Sequence, residues 1–330
     1  LFIIISLLCF MSCINEIKFD DDELSNEMVV NCLVSPDSIV KANFTYSRFF
    51  LDPSGDFVTI KDLDVKLYIN AALKETLKLK GSNYVSSYRT KSGDNVKITA
   101  RHISSSQNTS AETYVPFTVK INGIDSSRVY NFDSYLTHDT IVNQNTPRTD
   151  TLGLIRNFKY TFNVKLTDFA ETTDFYRIAA TIRQTYADGK SASKRIVLYP
   201  DDEVFDRVDG AEVFDANSDR NFNIFSDSTF KGQSYNLKTS AKITQLLPTP
   251  AKTKYPPANQ VKIPVKTELI FDLQAIDKGF FRYLKTVKYN NTDLQYFSEP
   301  VQIYNNVENG IGLLGSVTHS YYNFVFQASV

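Results

Sequence analysis

Apolar and polar residues alternate with period two along much of this chain. VKANFTYS (Val40–Ser47), DVKLYIN (Asp64–Asn70) and NVKITA (Asn95–Ala100) each place an apolar side chain at about every second position, the pattern of a half-buried β-strand. Turn clusters separate them: DPSGD (Asp52–Asp56), KGSN (Lys80–Asn83) and KSGDN (Lys91–Asn95). Strands are predicted at Val29–Val34, Val40–Ser47, Asp64–Asn70, Lys74–Leu79, Tyr84–Tyr88, Asn95–Ala100 and Ala111–Pro116. That number of short strands, with turns about every ten residues, predicts an immunoglobulin- or fibronectin-like β-sandwich over residues 28–117.

A second, larger β-rich region is expected over residues 118–330. It opens with a Ser/Asn/Thr/Asp-rich stretch, Asp125–Asp150, read as a long loop or hairpin tip. Long alternating segments follow at Phe158–Asp168, Asp174–Tyr186 and Val265–Ile276, with an acidic insertion at Asp201–Asp227. One segment departs from the strand pattern. In DKGFFRYLKTVKYN (Asp277–Asn290), Phe280, Tyr283, Leu284, Val287 and Lys288 recur at helical spacing behind Asp277 as N-cap. The expected fold is therefore all-β, a sandwich followed by a larger β-domain that carries one amphipathic helix. No repeat of fixed period points to a solenoid or propeller.

The first thirteen residues, LFIIISLLCFMSC, change the picture. An apolar run from Leu1 to Met11 ends in Ser12 and Cys13, the outline of a secretory signal closing on a lipobox. The run is shorter than the roughly 20 apolar residues of a membrane span. With Leu at position 1 and no basic residue ahead of the run, residues 1–12 are read as an N-terminally truncated lipoprotein signal. Cys13 is the expected lipidation site, and residues 13–27, rich in Asp and Glu, form a tether.

Composition narrows the function. Lys plus Arg (36) and Asp plus Glu (37) nearly cancel, and no basic block is present, which argues against a nucleic-acid partner. Once Cys9 leaves with the signal and Cys13 carries lipid, only Cys32 remains, in the apolar run MVVNCLV. It reads as a buried structural thiol. With three His in the chain, zinc is disfavoured.

No GxSxG, HExxH or P-loop motif occurs, so no catalytic residue and no cofactor are assigned. The best metal-like spacing is Asp215, Asn217, Asp219 and Asn221, alternate oxygen donors as in a Ca²⁺ loop. Arg220 stands at the glycine position of that pattern and Ser226 at the bidentate Glu, which favours a solvated acidic loop. Adjacent acids such as Asp201 and Asp202 read as solvated charge rather than a glycosidase pair. Gly310, Gly312 and Gly315 are read as sites of tight packing or bulges between closing strands. The chain holds 24 Phe and 19 Tyr but no Trp, which weakens a glycan-binding face built on Trp stacking.

In order and spacing, several segments resemble the DUF4249 lipoproteins of Bacteroidota. They are the lipobox Cys13 with its tether, VVNCLVSPDS (Val29–Ser38), YSRF (Tyr46–Phe49), DVKLYIN, AETYVP (Ala111–Pro116), FSDSTFKGQSYNL (Phe225–Leu237) and the stretch from Phe280 to Gly315. The resemblance implies a lipid-anchored outer-membrane protein facing the cell exterior, with a TonB-dependent receptor as partner and the outer-membrane lipid as anchor. It implies no catalytic set. It also makes Asp37-Ser38, Asp139-Thr140, Asp150-Thr151 and Asp227-Ser228 candidate O-glycosylation motifs. The leading expectation is a non-catalytic accessory subunit of a TonB-dependent transporter. The alternative is an independent surface glycan- or peptide-binding lipoprotein, which an exposed row of Tyr on one sheet would favour. A hydrolase using Asp201, Asp202 and Asp215 is the remaining class.

Overall fold

Alternation of buried and exposed residues sets the first strands. In β1 (Met28–Val34) the side chains of Met28, Val30, Cys32 and Val34 are buried, and in β3 (Leu63–Ile69) those of Leu63, Val65, Leu67 and Ile69. The computed structural model describes residues 27–48, 57–143, 146–206, 222–247, 264–290 and 302–326, with side chains at 129–156 and 245–247 excepted. Between and after those two strands come β2 (Ile39–Tyr46), β4 (Ala72–Thr76), β5 (Lys78–Lys80), β6 (Asn83–Arg89), β7 (Asn95–His102) and β8 (Asn108–Tyr114). Each predicted strand of this region overlaps one of them. The second region holds β9 (Ile121–Asn143), β10 (Thr146–Thr167), β11 (Phe175–Thr185), β12 (Ser191–Ile196), β13 (Tyr199–Pro200), β14 (Ile224–Ser226), β15 (Ser234–Leu247) and β16 (Lys266–Ile276). They are followed by helix α1 (Lys278–Asn290), β17 (Val307–Glu308) and β18 (Ile311–Val325). Among the described residues the fold is all-β with one helix.

Among the described residues the strands form three sheets. The largest has nine strands, in the order β12-β11-β16-β18-β1-β2-β6-β5, with β14 also paired to β11. A five-stranded sheet, β17-β8-β7-β3-β4, and a four-stranded sheet, β13-β15-β10-β9, pack against it. Phe44, Val40, Leu67 and Ile98 lie in the core against the five-stranded sheet. Phe162, Tyr176, Leu237 and Phe271 lie in the core against the four-stranded sheet. The rings of Phe162 and Phe271 meet edge-on there, centroids 5.0 Å apart.

The last strand joins the two cores. Residues Ile311–Ser316 of β18 run parallel to Val29–Val34 of β1, and Val317–Val325 run antiparallel to β16. Side-chain parity gives the layering, because successive residues of a strand point to opposite faces. Even-numbered Leu314 belongs to the first core, and even-numbered Tyr322, Phe324 and Phe326 belong to or line the second. Both smaller sheets therefore cover the same face of the nine-stranded sheet. Odd-numbered Leu313 and Val317 face the other way, onto Phe280 and Leu284 of α1, with Ile224 and Ile276 alongside. The helix thus covers the face of the large sheet opposite the two smaller sheets.

Close approach at the join requires glycine. Gly312 has φ +119°, and a Cβ there would lie 2.1 Å from the Val30 carbonyl oxygen. A Cβ at Gly310 would likewise lie 2.5 Å from the Met28 carbonyl oxygen, whereas one at Gly315 would meet the side chains of Phe280 and Leu33.

Asp277 caps the helix and fastens it to the same point. Its Oδ2 accepts the N–H groups of Gly279 (2.7 Å) and Phe280 (3.2 Å), and its Oδ1 accepts that of Ser316 (2.6 Å). Ser316 in turn donates its hydroxyl to the Tyr114 carbonyl of β8 at 2.6 Å. One carboxylate therefore ties the helix, the shared sheet and the five-stranded sheet together. Burial pushes its pKa up, while the Ser316, Phe280 and Gly279 N–H groups pull it down; the net direction is upward.

Three outcomes are expected. Asp277→Ala leaves three N–H groups without their acceptor and should destabilise the fold by about 2–4 kcal/mol in a denaturant melt. Asp277→Asn keeps one acceptor oxygen and should lose less. Because the folded-state pKa is raised, the contribution of Asp277 is fully present below the ordinary Asp pKa. It falls as pH rises through the raised value, a decline the Asn variant should lack. Gly312→Ala should cost roughly 3 kcal/mol or more, since the clash is with backbone. Cys32 is buried, with its thiol pKa pushed up to about 12 by desolvation, so it should react with a disulfide reagent only when the chain is unfolded.

Candidate metal centre

Three aspartates stand just beyond strand ends that neighbour one another in space. Asp168 follows β10, Asp174 precedes β11 and Asp227 follows β14. Strands β11 and β14 are antiparallel and pair Phe175 with Ser226, so Asp174 and Asp227 occupy the next position along the ladder. There the Asp174 N–H donates to Asp227 Oδ2 (3.0 Å), and the Asp227 N–H donates to the Asp174 carbonyl (3.1 Å). Asp168 arrives from the other sheet, where the β10–β15 ladder ends at Thr167 and Ser234. Its N–H continues that ladder to the Gln233 carbonyl at 3.1 Å.

The turn from Asp227 to Gln233 closes the site. It is held by the Phe230 N–H to the Asp227 carbonyl and the Gln233 N–H to the Phe230 carbonyl, both 2.9 Å. Gly232 sits at φ +70°, where a Cβ would come within 2.8 Å of the Ala170 Cβ. Glycine lets this turn press against the loop after β10, and its N–H donates to Asp168 Oδ2 at 2.9 Å. Beneath the acids lies an aromatic layer: the ring of Tyr176 is 5.3 Å from that of Phe225, and Phe230 stacks on Tyr235 at 4.4 Å.

Each of the three acids places one oxygen within 4.8 Å of the others'. Asp168 and Asp227 are buried, Asp227 with 0% exposure, while Asp174 is partly exposed. Tyr176 donates its hydroxyl to Asp168 Oδ1, and burial together with that bond holds the phenol protonated. Thr172 donates to Asp174 Oδ2 at 2.6 Å. Asp227 Oδ1 is buried and meets no donor. Desolvation, with the neighbouring charges, pushes the pKa of Asp174 and of Asp227 up. At such a separation two ionised carboxylates repel by about 3 kcal/mol at an effective dielectric of 20. The donor set is all oxygen, which suits hard cations rather than zinc or copper. With two of the acids buried, the arrangement suits holding an ion within the fold better than meeting a large substrate.

The residues singled out in the sequence fall elsewhere. Cys13 and the set Asp215, Asn217, Asp219 and Asn221 lie outside the described residues. Asp201 is exposed, whereas Asp202 is buried, accepting the Tyr235 hydroxyl (2.7 Å) and the Lys238 N–H (3.0 Å). Asp202 is thus engaged in holding β15, and the two do not form a facing pair. The histidines stay apart: His102 lies 3.3 Å from Asp62, His319 lies 3.0 Å from Asp272, and His138 belongs to β9. Asp168, Asp174 and Asp227 went unread as a group. Their signal was positional, an Asp ending one long alternating segment, another opening the next, and a third within the FSDSTFKGQSYNL stretch.

No curated protein and no solved structure matches the chain. Residues 14–322 match one family, described as a domain of unknown function. On that match, which spans nearly all of it, the chain belongs to the DUF4249 family.

Proposed function

We propose that this protein is a lipid-anchored outer-membrane protein, held through Cys13, that serves as a non-catalytic accessory subunit of a TonB-dependent transporter. The observation that carries the reading is the β9–β10 hairpin. The two strands pair from Ile121 and Leu166 out to Asn143 and Thr146, whereas β15 accompanies β10 only from Thr167 to Leu154. Among the described residues, 137–143 and 146–153 pair only with each other. A two-stranded ribbon is marginally stable alone, and edges that pair with no further strand among the described residues suit strand addition by a partner.

The tether supports the same reading. Residues 13–26 lie outside the described residues; the tether read there from sequence would reach roughly 20 Å, keep the body near the membrane and raise its effective concentration toward a membrane-embedded partner. Among the described residues no helix is long and apolar enough to cross a membrane. An independent glycan-binding protein finds less support: the exposed tyrosines among the described residues are Tyr114 on β8 and Tyr321 on β18, in different sheets.

Affinity purification of the tagged protein from native outer membranes, followed by mass spectrometry, should recover a TonB-dependent receptor in stoichiometric amount. Replacing residues 137–153 by an Asn-Gly turn should abolish that recovery while shifting Tm by no more than about 2 °C, because among the described residues 137–143 and 146–153 pair with no strand of the three-sheet body beyond each other. Recovery of the wild-type protein alone would reject the reading.

A further inference from the structure

We infer that Asp168, Asp174 and Asp227 bind a divalent cation, calcium, that locks the two sheets of the second sandwich together. The inference stands on two independent observations. The first is the convergence of three acids from both sheets, each with an oxygen within 4.8 Å of the others'. The second is Asp227 itself, fully buried and with Oδ1 lacking any donor. A buried carboxylate oxygen without a partner carries a desolvation cost that a bound cation removes.

Four of the other oxygens accept hydrogen bonds, but from neutral donors that leave the charge uncompensated. Tyr176, Thr172, the Gly232 N–H and the Asp174 N–H orient the three carboxylates but carry no positive charge. Lys231 is the nearby cation, yet its ammonium bonds Thr173 Oγ1 at 3.3 Å and lies exposed. A single lysine would in any case leave the cluster net negative. Calcium accepts six to eight oxygens at 2.3–2.6 Å in a flexible shell, so oxygens on opposite sides of the ion stand about 4.6–5.2 Å apart. Magnesium holds its ligands at about 2.0–2.1 Å in a strict octahedron, a narrower shell. Oxygens within 4.8 Å of one another fall inside the span of the calcium shell, and a flexible shell, unlike a strict octahedron, tolerates carboxylates already fixed by other hydrogen bonds.

The site joins the two sheets of the second core. Asp168 belongs to the end of the four-stranded sheet, and Asp174 and Asp227 to the edge of the nine-stranded one. Calcium here would hold the two layers together at one end of the sandwich, much as a cross-link does.

The test uses the whole lipoprotein in detergent, stripped with a chelator and returned to CaCl₂ or MgCl₂ at about 10 mM, roughly a hundredfold above the ~0.1 mM Kd at the tight end of extracellular calcium sites. Wild type should gain about 5 °C in Tm with calcium if that concentration is some hundredfold above Kd, and little with magnesium. Asp227→Asn should lose the calcium shift, and in chelator it should melt no lower than wild type, since one buried charge has gone. Asp174→Asn, at the partly exposed member, should lose the shift too and decides the matter if the first variant does not fold. A double variant of the acidic loop, Asp215→Asn with Asp219→Asn, should keep the shift in full. The proposal is overturned if wild type shows no calcium shift, if magnesium gives an equal one, or if the shift survives in both cluster variants. It is equally overturned if the shift vanishes in the loop variant.

Discussion

Pairing of the last strand on both its edges is the constraint on which the rest of this structure depends. β18 is bonded to β1 along its first part and to β16 along its second. Without it the nine-stranded sheet would separate into two halves, each with an open edge. The two cores would then lose the strand they share, and α1 would lose the floor that Leu313 and Val317 provide. Asp277 and Ser316 stand at the partner change itself. Their hydrogen bonds reach the helix on one face and β8 on the other. A polar junction of this kind is stable because each buried group is matched; the same groups unmatched would be costly.

The candidate cation site obeys the opposite logic. Around Asp277 the carboxylate has more donors than a single side chain usually finds. Around Asp227 a buried oxygen has none, and two further acids crowd it. Both carboxylates sit where strands end and sheets meet. At one, each oxygen meets backbone N–H donors that offset part of the cost of burial; at the other, one oxygen meets none. That contrast, rather than the mere presence of acidic residues, separates a structural cap from a binding site.

Local pattern carried far in the sequence. The alternation at Val40–Ser47 anticipates β2, that at Asn95–Ala100 anticipates β7, and Asp277 was recognisable as an N-cap. These features depend on neighbours within a few residues. What alternation does not encode is the partner of an edge. Nothing in MVVNCLV announces that it pairs with IGLLGS near the other end of the chain, although the glycines there hinted at close backbone contact. The Asp168, Asp174 and Asp227 group was hidden for the same reason. Its members are separated by whole strands, and each alone is an unremarkable turn residue. In the stretch Asp125–Asp150, read as a long loop or hairpin tip, residues 125–143 and 146–150 form strand, because β9 and β10 continue to pair beyond the end of β15 among the described residues.

The parallel seam between β1 and β18 has a temporal consequence. Strand β1 must wait for β18 before one of its edges is satisfied. Until then Val30, Cys32 and Val34 belong to an unfinished sheet, whatever β2 to β8 have already achieved. Contacts between such distant segments slow folding and lengthen the life of aggregation-prone intermediates. A chain built this way commits to its final shape only when complete, so that a ribosome or a membrane pore handling it would release an open sheet until residue 316 had emerged.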